Sequence, residues 1–356
     1  MRKQMLNQAF SHKITVLSWC LSIAIVCVHL NPSWDFKIIS NNGGFFDVLF
    51  NFLNDLLTSL GSLAVSFFFM SSAYLLYRSY KLKQLPEKLK KRFYSLFVPL
   101  VLWNILCLVY KLRFGDGILE TLKNIVLSNY DGPLWFVVQL LVLLLLSPLL
   151  LQLFKNKHIG LVLILISYFL PMMFDSFLVQ HITDSAQQMS ILSRSVYYLP
   201  NYFTGAYLAI HFDESIQLER YRKGWFVLIS GLVLALTFVP SSQPFMQFLT
   251  LSQALAFWVI LPNKRFKKPL NWKYQISFFI YASHIVVIGV VMRLLHRFVL
   301  DETLPVSIGT AFFGRLLFLA LSVSCIYLAA WILIRWFPKV YRLLAGGRVP
   351  HMHSMF

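Results

Sequence analysis

Residues 134–154 read LWFVVQLLVLLLLSPLLLQLF, a run of 21 residues without a charged side chain. The hydrocarbon core of a bilayer is about 30 Å thick, and a helix needs roughly 20 apolar residues to cross it. The run therefore predicts a transmembrane helix. Further runs of this kind occur along the whole chain, and together they predict an all-α fold, a polytopic transmembrane bundle of about ten helices. The ten runs lie near 14–32, 61–80, 93–111, 134–154, 159–175, 196–212, 224–240, 245–261, 275–296 and 308–336.

The overall composition excludes a soluble globular protein. Hydrophobic residues make up 58% of the 356 residues and charged residues 13%, with a mean hydropathy of +0.67, whereas soluble domains carry about 25% charged residues. The net charge of +18 comes from short Lys and Arg clusters between apolar runs, so we expect no nucleic-acid partner. The four cysteines lie inside apolar runs without C-x-x-C spacing, so neither a disulfide framework nor a metal site is indicated.

The connections between the runs predict the topology. Taken alternately, one set of connections, which includes both termini, carries 24 Lys and Arg, and the other set carries six. The positive-inside rule then places both termini in the cytoplasm and makes the number of helices even. No connection is long enough for an independent core, so we expect one membrane-embedded domain over 1–356.

Ionisable groups inside a predicted span are costly and are candidates for function, and four such residues are considered in this role. They are His29, His284, Arg293 and Arg315. His29 shares one helix face with Ser18 and Ser22, and either this polar stripe faces a functional interior or the serines bond the carbonyl four residues back. We expect His284 to be a packing residue inside the bundle. We expect the side chain of Arg293 to extend to the lipid headgroups. Interior pairing and headgroup contact are equally compatible with Arg315.

Six apolar segments follow one another in a distinctive order. Four are clear: ITVLSWCLSIAIVCVHL (14–30), SFFFMSSAYLL (66–76), KKRFYSLFVPLVLWN (90–104) and GPLWFVVQLLVLLLLSPLL (132–150). Two are weaker: YYLPNYFTGAYL (197–208) and SFFIYASHIVVI (277–288). In this order they resemble the acyltransferase-3 family, integral membrane proteins that O-acylate surface polysaccharides.

The resemblance implies a reaction and three site residues. Cytoplasmic acyl-CoA, with acetyl-CoA the commonest case, would donate an acyl group to a hydroxyl of a cell-surface or lipid-linked polysaccharide. His29 matches the family's helix-one histidine, and its imidazole would be the general base. Arg92 matches a basic position before helix three and, with Arg315, would bind the donor. The protein would be a multi-pass protein of a bacterial plasma membrane.

Two positions depart from the family pattern. Ser18 stands where the family usually has an arginine, so Arg315 and Arg92 are the cations expected to substitute for it. Asp131 precedes Leu134-Trp135 where many relatives have a histidine. The predicted outer connections contain Asp35, Asp131, Asp175 and Asp301. Either one of these carboxylates orients His29, or all four are solvated loop acids.

Two other functions fit the same residues. A transporter or flippase for a lipid-linked sugar or small anion would use the same interior cations, with helices broken near Pro99, Pro148 and Pro240. A non-catalytic relative that acts as a partner subunit would explain the loss of the arginine at position 18.

Overall fold

The computed structural model describes most of the chain, and the described part is all-helical, as predicted. The described residues are 2–30, 44–78, 85–111, 117–127, 130–181, 196–212, 253–258, 266–298 and 306–350. Within these ranges the helices are α1 (Arg2–Val28), α2 (Phe45–Tyr77), α3 (Leu85–Lys111), α4 (Ile118–Val126), α5 (Trp135–Lys155), α6 (Lys157–His181), α7 (Leu199–His211), α8 (Trp272–Gln275), α9 (Ser277–Phe298), α10 (Ile308–Trp336) and α11 (Pro338–Leu344).

Six of the described helices are long and apolar enough to cross a bilayer. Their apolar parts are Gln8–Val28, Phe45–Tyr77, Pro86–Lys111, Gly132–Lys155, Ser277–Leu295 and Ile308–Trp336. The fifth predicted span falls on α6, whose apolar part Lys157–Pro171 is shorter, and the sixth falls on α7, which has 13 residues. The run 224–240 lies outside the described residues, as does most of 245–261. The total of ten spans and the cytoplasmic termini remain predictions.

Helix α2 differs most from its prediction. The apolar run begins near residue 61, but the helix already begins at Phe45. Asn51, Asn54 and Asp55 interrupt the apolar pattern of its first half, so hydropathy alone begins the span too late in the sequence. One of these polar residues, Asn54, proves to bond a buried side chain, as described below.

Prolines do not break the described helices. Helix α3 runs through Pro99 and α5 runs through Pro148, although a proline inside a helix removes one backbone hydrogen bond. The discontinuous helices expected of a transporter are therefore not found at these two positions. Pro240 lies outside the described residues.

The chain divides into two compact units. The first unit comprises Met1–Ile14, Ser62–Phe93 and Gln139–Pro269, and the second comprises Thr15–Gly61, Tyr94–Val138 and Leu270–Phe356. The single membrane-embedded domain over 1–356 remains a prediction.

The first unit is packed by aromatic rings and by one very close helix crossing. The rings of Phe10, Tyr74 and Trp258 lie with their centroids 5.2 to 5.6 Å apart. A Cβ atom at Gly205 of α7 would lie only 2.1 Å from the carbonyl oxygen of Met70 in α2. Only a residue without a side chain allows the two backbones this approach.

In the second unit, α9 and α10 pack against each other, and α11 packs against α10. The hydroxyl of Ser307 accepts a hydrogen bond from the Thr310 amide at 3.2 Å and so caps the start of α10. The indole of Trp103 in α3 donates to the carbonyl oxygen of Leu344 at 3.1 Å and thereby ties the end of α11 to this unit. The second unit contains the candidate site.

Replacing Gly205 with Ala should destabilise the protein by about 2 kcal/mol, because the new Cβ meets backbone atoms that cannot rotate away. The melting midpoint in detergent should fall by roughly 5 °C. Gly117→Ala is the matched control, since a Cβ there meets no described atom within 4 Å. Equal midpoints for the two variants would contradict the proposed close packing.

Candidate active site

Helix α1 ends at Val28, and His29 is the next residue. The amide of His29 still bonds the carbonyl oxygen of Ile25 at 3.3 Å, and the amide of Leu30 bonds that of Cys27 at 3.2 Å. The side chain of His29 is partly exposed. The last turn of α1 therefore fixes the backbone of His29 but leaves its imidazole accessible.

A second histidine lies against the first. The ring centroids of His29 and His284 are 4.9 Å apart, with an angle of 42° between the rings. His284 comes from the middle of α9 and is only 1% exposed. Two histidines separated by more than 250 positions in the sequence thus form one imidazole pair.

Hydrogen bonding fixes the tautomer of His284. Its Nδ1 lies 2.5 Å from the carbonyl oxygen of Tyr281, and a carbonyl can only accept, so Nδ1 carries the proton. In the neutral ring Nε2 then holds a lone pair. Nε2 is buried and has no hydrogen-bond partner among the described residues. Positive charge on both rings at this separation would be repulsive, so the arrangement favours at most one extra proton on the pair.

Tyr281 connects the pair to the start of α5. Its hydroxyl donates to the carbonyl oxygen of Pro133 at 2.5 Å, and its ring packs edge-on against Phe136. The ring centroids of Tyr281 and His284 are 6.0 Å apart. The segment 131–133, where the sequence departs from the family pattern, is thereby held beside α9.

A buried carboxyl group lies in that segment. Asp131 is fully buried, and its amide donates to the side-chain oxygen of Asn104 at 3.1 Å. Burial raises the pKa of the Asp131 carboxyl to about 7, although the Lys111 ammonium and the neighbouring Cys107 thiol both act to lower it. Near neutral pH this carboxyl is protonated for part of the time.

Asp131 is the one carboxylate candidate whose side chain lies within the described residues. Asp35, Asp301 and the side chain of Asp175 lie outside them. A carboxylate that orients His29 remains a prediction.

Arg315 is anchored on the same end of α1. Its Nε and Nη2 donate to the carbonyl oxygen of Cys27 at 3.2 and 2.9 Å, and Nη1 donates to the backbone and side-chain oxygens of Asn54 at 3.3 and 3.1 Å. Nη2 also donates to the hydroxyl of Thr58 at 3.4 Å. The guanidinium is 1% exposed. These contacts use every N–H group of the side chain, and all acceptors are neutral.

The sequence-predicted site residues do not all fall in one place. Arg315 lies next to the turn that carries His29, and its contacts favour the interior-pairing interpretation. Arg92 belongs to the first unit, on α3, and is partly buried near Tyr202 of α7. Donor binding by these two arginines remains a prediction.

Arg293 and Ser22, two other polar residues that the sequence places in predicted spans, have simple partners. Arg293 is exposed and lies over the ring of Tyr110, 4.1 Å from its centroid. The hydroxyl of Ser22 donates to the carbonyl oxygen of Ser18 at 2.8 Å. For Ser22 this bond agrees with the second interpretation of the polar stripe, in which the serines bond the carbonyl four residues back.

Comparison with known proteins identifies the family. Residues 12–342 match the sequence model of the acyltransferase-3 family, which is described as an acyltransferase domain. The chain belongs to the acyltransferase-3 family. The resemblance drawn from the six segments is thus confirmed, and the match includes both histidines. No curated protein and no solved structure matches the chain.

Membership in the acyltransferase-3 family supports an acyltransferase-type function. Together with the apolar helices, it also fits a multi-pass membrane protein.

The contact of His284 with His29 and the bond from Tyr281 to Pro133 were not predicted from the sequence. A single helical histidine carries no partner in its own pattern, which favours packing for His284. The signal that was available is the weaker segment SFFIYASHIVVI (277–288), which contains both residues in family order.

Replacing Asp131 with Asn should reduce the dependence of stability on pH. The ordinary pKa of 3.8 is raised to about 7 in the fold, so the folded chain binds this proton more tightly than the unfolded chain. The Asp131 contribution to stability is therefore greatest below about pH 4, falls by about 4 kcal/mol as pH rises to 7, and stays constant above that. Melting midpoints in detergent near pH 5 and pH 8 measure the effect.

The exposed residue Asp55 offers the matched control, and Asp55→Asn should keep the wild-type difference between the two pH values. Asp131→Asn should have a smaller difference and a higher midpoint near pH 8 than wild type. If the melting midpoint changed by the same amount between pH 5 and pH 8 in wild type and both variants, Asp131 would not be a buried acid with a raised pKa.

Proposed function

We propose that this chain transfers an acyl group from acyl-CoA to a hydroxyl of a cell-surface or lipid-linked polysaccharide. The observation that carries the proposal is the pair of His29 and His284, with ring centroids 4.9 Å apart, in a chain of the acyltransferase-3 family. An imidazole that is neutral near pH 7 and reaches a substrate hydroxyl is the usual general base for acyl transfer.

In this proposal His29 is the catalytic base. It takes the proton from the acceptor hydroxyl while the hydroxyl oxygen attacks the carbonyl carbon of the thioester. The carbon–sulfur bond then breaks, and the leaving sulfur receives the proton from the imidazolium. The products are the O-acyl ester and free CoA. His29 is partly exposed, unlike His284, and is therefore the histidine that can contact substrate.

His284 is a positioning residue in the same scheme. Its Nδ1–H is held by the carbonyl of Tyr281, so the ring that lies against His29 keeps an unprotonated Nε2 when it is neutral. A neutral, electron-rich partner favours the positive charge that His29 gains during proton transfer. A backbone carbonyl that fixes one ring nitrogen is a common way to orient a functional histidine.

Arg315 supports the site through the backbone. Its positive charge lies against the carbonyl oxygen of Cys27 in the last turn of α1, where a helix end favours a cation. Because its N–H groups are taken by neutral acceptors, we assign it to holding the turn before His29. Arg92 keeps its proposed role as a basic contact for the donor.

The donor and location are also part of the proposal. Cytoplasmic acetyl-CoA is the first donor to test, and a bacterial plasma membrane with both chain termini in the cytoplasm is the expected setting. The 24-to-6 partition of basic residues between the two sets of connections supports this orientation.

Replacing His29 with Ala should reduce acyl transfer by at least about 100-fold, because a general base contributes roughly that much. Membranes that contain wild type, His29→Ala or the control His158→Ala are supplied with radiolabelled acetyl-CoA, and label in lipid-linked and surface glycan is counted. His158 is exposed, so His158→Ala should match wild type.

Two outcomes would contradict the proposal. Normal transfer by folded His29→Ala would remove His29 from the mechanism. No transfer by folded wild type, together with movement of a lipid-linked sugar across vesicles that contain it, would favour the transporter.

A further inference from the structure

An aromatic pocket lies in the second unit, apart from the histidine pair. It encloses about 740 Å³, a volume typical of sites for small organic molecules. Aromatic rings and one cation dominate its lining, which includes Trp19, Trp272, Lys273, Tyr274, Tyr327 and Trp331. None of His29, His284, Arg315 and Arg92 lines this pocket, so the proposed roles of these residues do not account for it.

Hydrogen bonds and ring contacts hold three elements of the pocket together. The indole N–H of Trp19 in α1 donates to the hydroxyl oxygen of Tyr327 in α10. That hydroxyl in turn donates to the carbonyl oxygen of Lys273 in α8 at 3.2 Å. The rings of Trp19 and Tyr274 meet edge to face with centroids 4.9 Å apart. The pocket is therefore pre-formed rather than assembled around a ligand.

The lining suits a flat, anionic ligand. Aromatic faces stack on the rings of nucleotide bases, and a lysine ammonium pairs with phosphate. Lys273 is exposed at the pocket. In the sequence, it ends the connection 264–273, which contains five basic residues and no acidic residue. A phospholipid tail would offer no matching group to the ammonium of Lys273.

Pocket residues and site residues occur in matching order on α1, on the segment formed by α8 and α9, and on α10. Trp19 precedes His29 by ten residues in the α1 segment, and Tyr274 precedes His284 by ten. On α10, which runs the opposite way, Tyr327 follows Arg315 by twelve residues. Contacts join the elements at both ends, Trp19 to Tyr327 at one and Cys27 to Arg315 at the other. At 1.5 Å per residue, the two ends lie about 15 Å apart.

We propose that this pocket binds the nucleotide end of the acyl-CoA donor and that the thioester arm extends along α1 to His29. The inference rests on the proposed function. The arm between the diphosphate and the sulfur is about a dozen bonds long, and at the rise of an extended chain it spans about 14 Å. This length matches the separation between the pocket and the histidine pair. Relative to His29, the pocket lies in the direction of the N-terminus of α1, which the predicted topology places on the cytoplasmic side, where acyl-CoA is found.

The test measures both binding and transfer with purified protein in nanodiscs. Coenzyme A without an acyl group is titrated by calorimetry, and KM and kcat are measured with acetyl-CoA. Lys273→Ala should weaken coenzyme A binding and raise KM about tenfold while kcat stays near wild type, and Lys273→Glu should abolish binding. Lys339→Ala, which removes an exposed lysine of α11 outside the pocket, should match wild type. His29→Ala should still bind coenzyme A.

The two proposals fail in different ways. If wild type transfers acyl groups but the Lys273 variants bind and react like Lys339→Ala, the pocket assignment is wrong and the proposed function stands. If the Lys273 variants lose coenzyme A binding but wild type transfers nothing, the pocket is a nucleotide site and the proposed function is wrong. Binding lost through misfolding is identified by the melting midpoint, and Trp331→Leu then provides a second pocket variant with the same expected rise in KM.

Discussion

The bonds of Arg315 are the interaction on which the second unit depends. A buried guanidinium is costly inside an apolar bundle unless every N–H group has an acceptor. Here the acceptors are the carbonyl oxygen of Cys27 together with oxygens of Asn54 and Thr58. One side chain of α10 thereby fixes the end of α1 against α2. Since His29 follows that end directly, these bonds fix the backbone from which its imidazole extends.

The same helices give the site a direction. Helix α1 runs from the aromatic pocket to His29, the segment of α8 and α9 runs from the pocket to His284, and α10 returns from Arg315 to the pocket. In our account the donor lies along this direction, with its nucleotide at one end and its reactive carbon at the other. This arrangement needs no helix to be broken, in agreement with the continuous course of α3 and α5 through their prolines.

The sequence predicts some levels of this structure well and others poorly. Helical class, the apolar spans within the described residues and the family follow from run length and segment order, which are local properties. The pairing of His29 with His284 could not be predicted, because hydrophobic periodicity describes one helix at a time and carries no information on distant contacts. The acceptors of Arg315 were hidden for the same reason. Asn54 in particular interrupts the apolar pattern of α2, and this interruption favours a connection rather than a helix at that position.

The most direct test of the histidine pair is a double-mutant cycle for acyl transfer. The values of kcat/KM are compared for wild type, His29→Asn, His284→Asn and the double variant, all with unchanged melting midpoints. If the two rings act as one unit, each single variant loses activity and the double variant is no worse than His29→Asn alone. Losses that multiply in the double variant, or full activity in His284→Asn, would contradict the account.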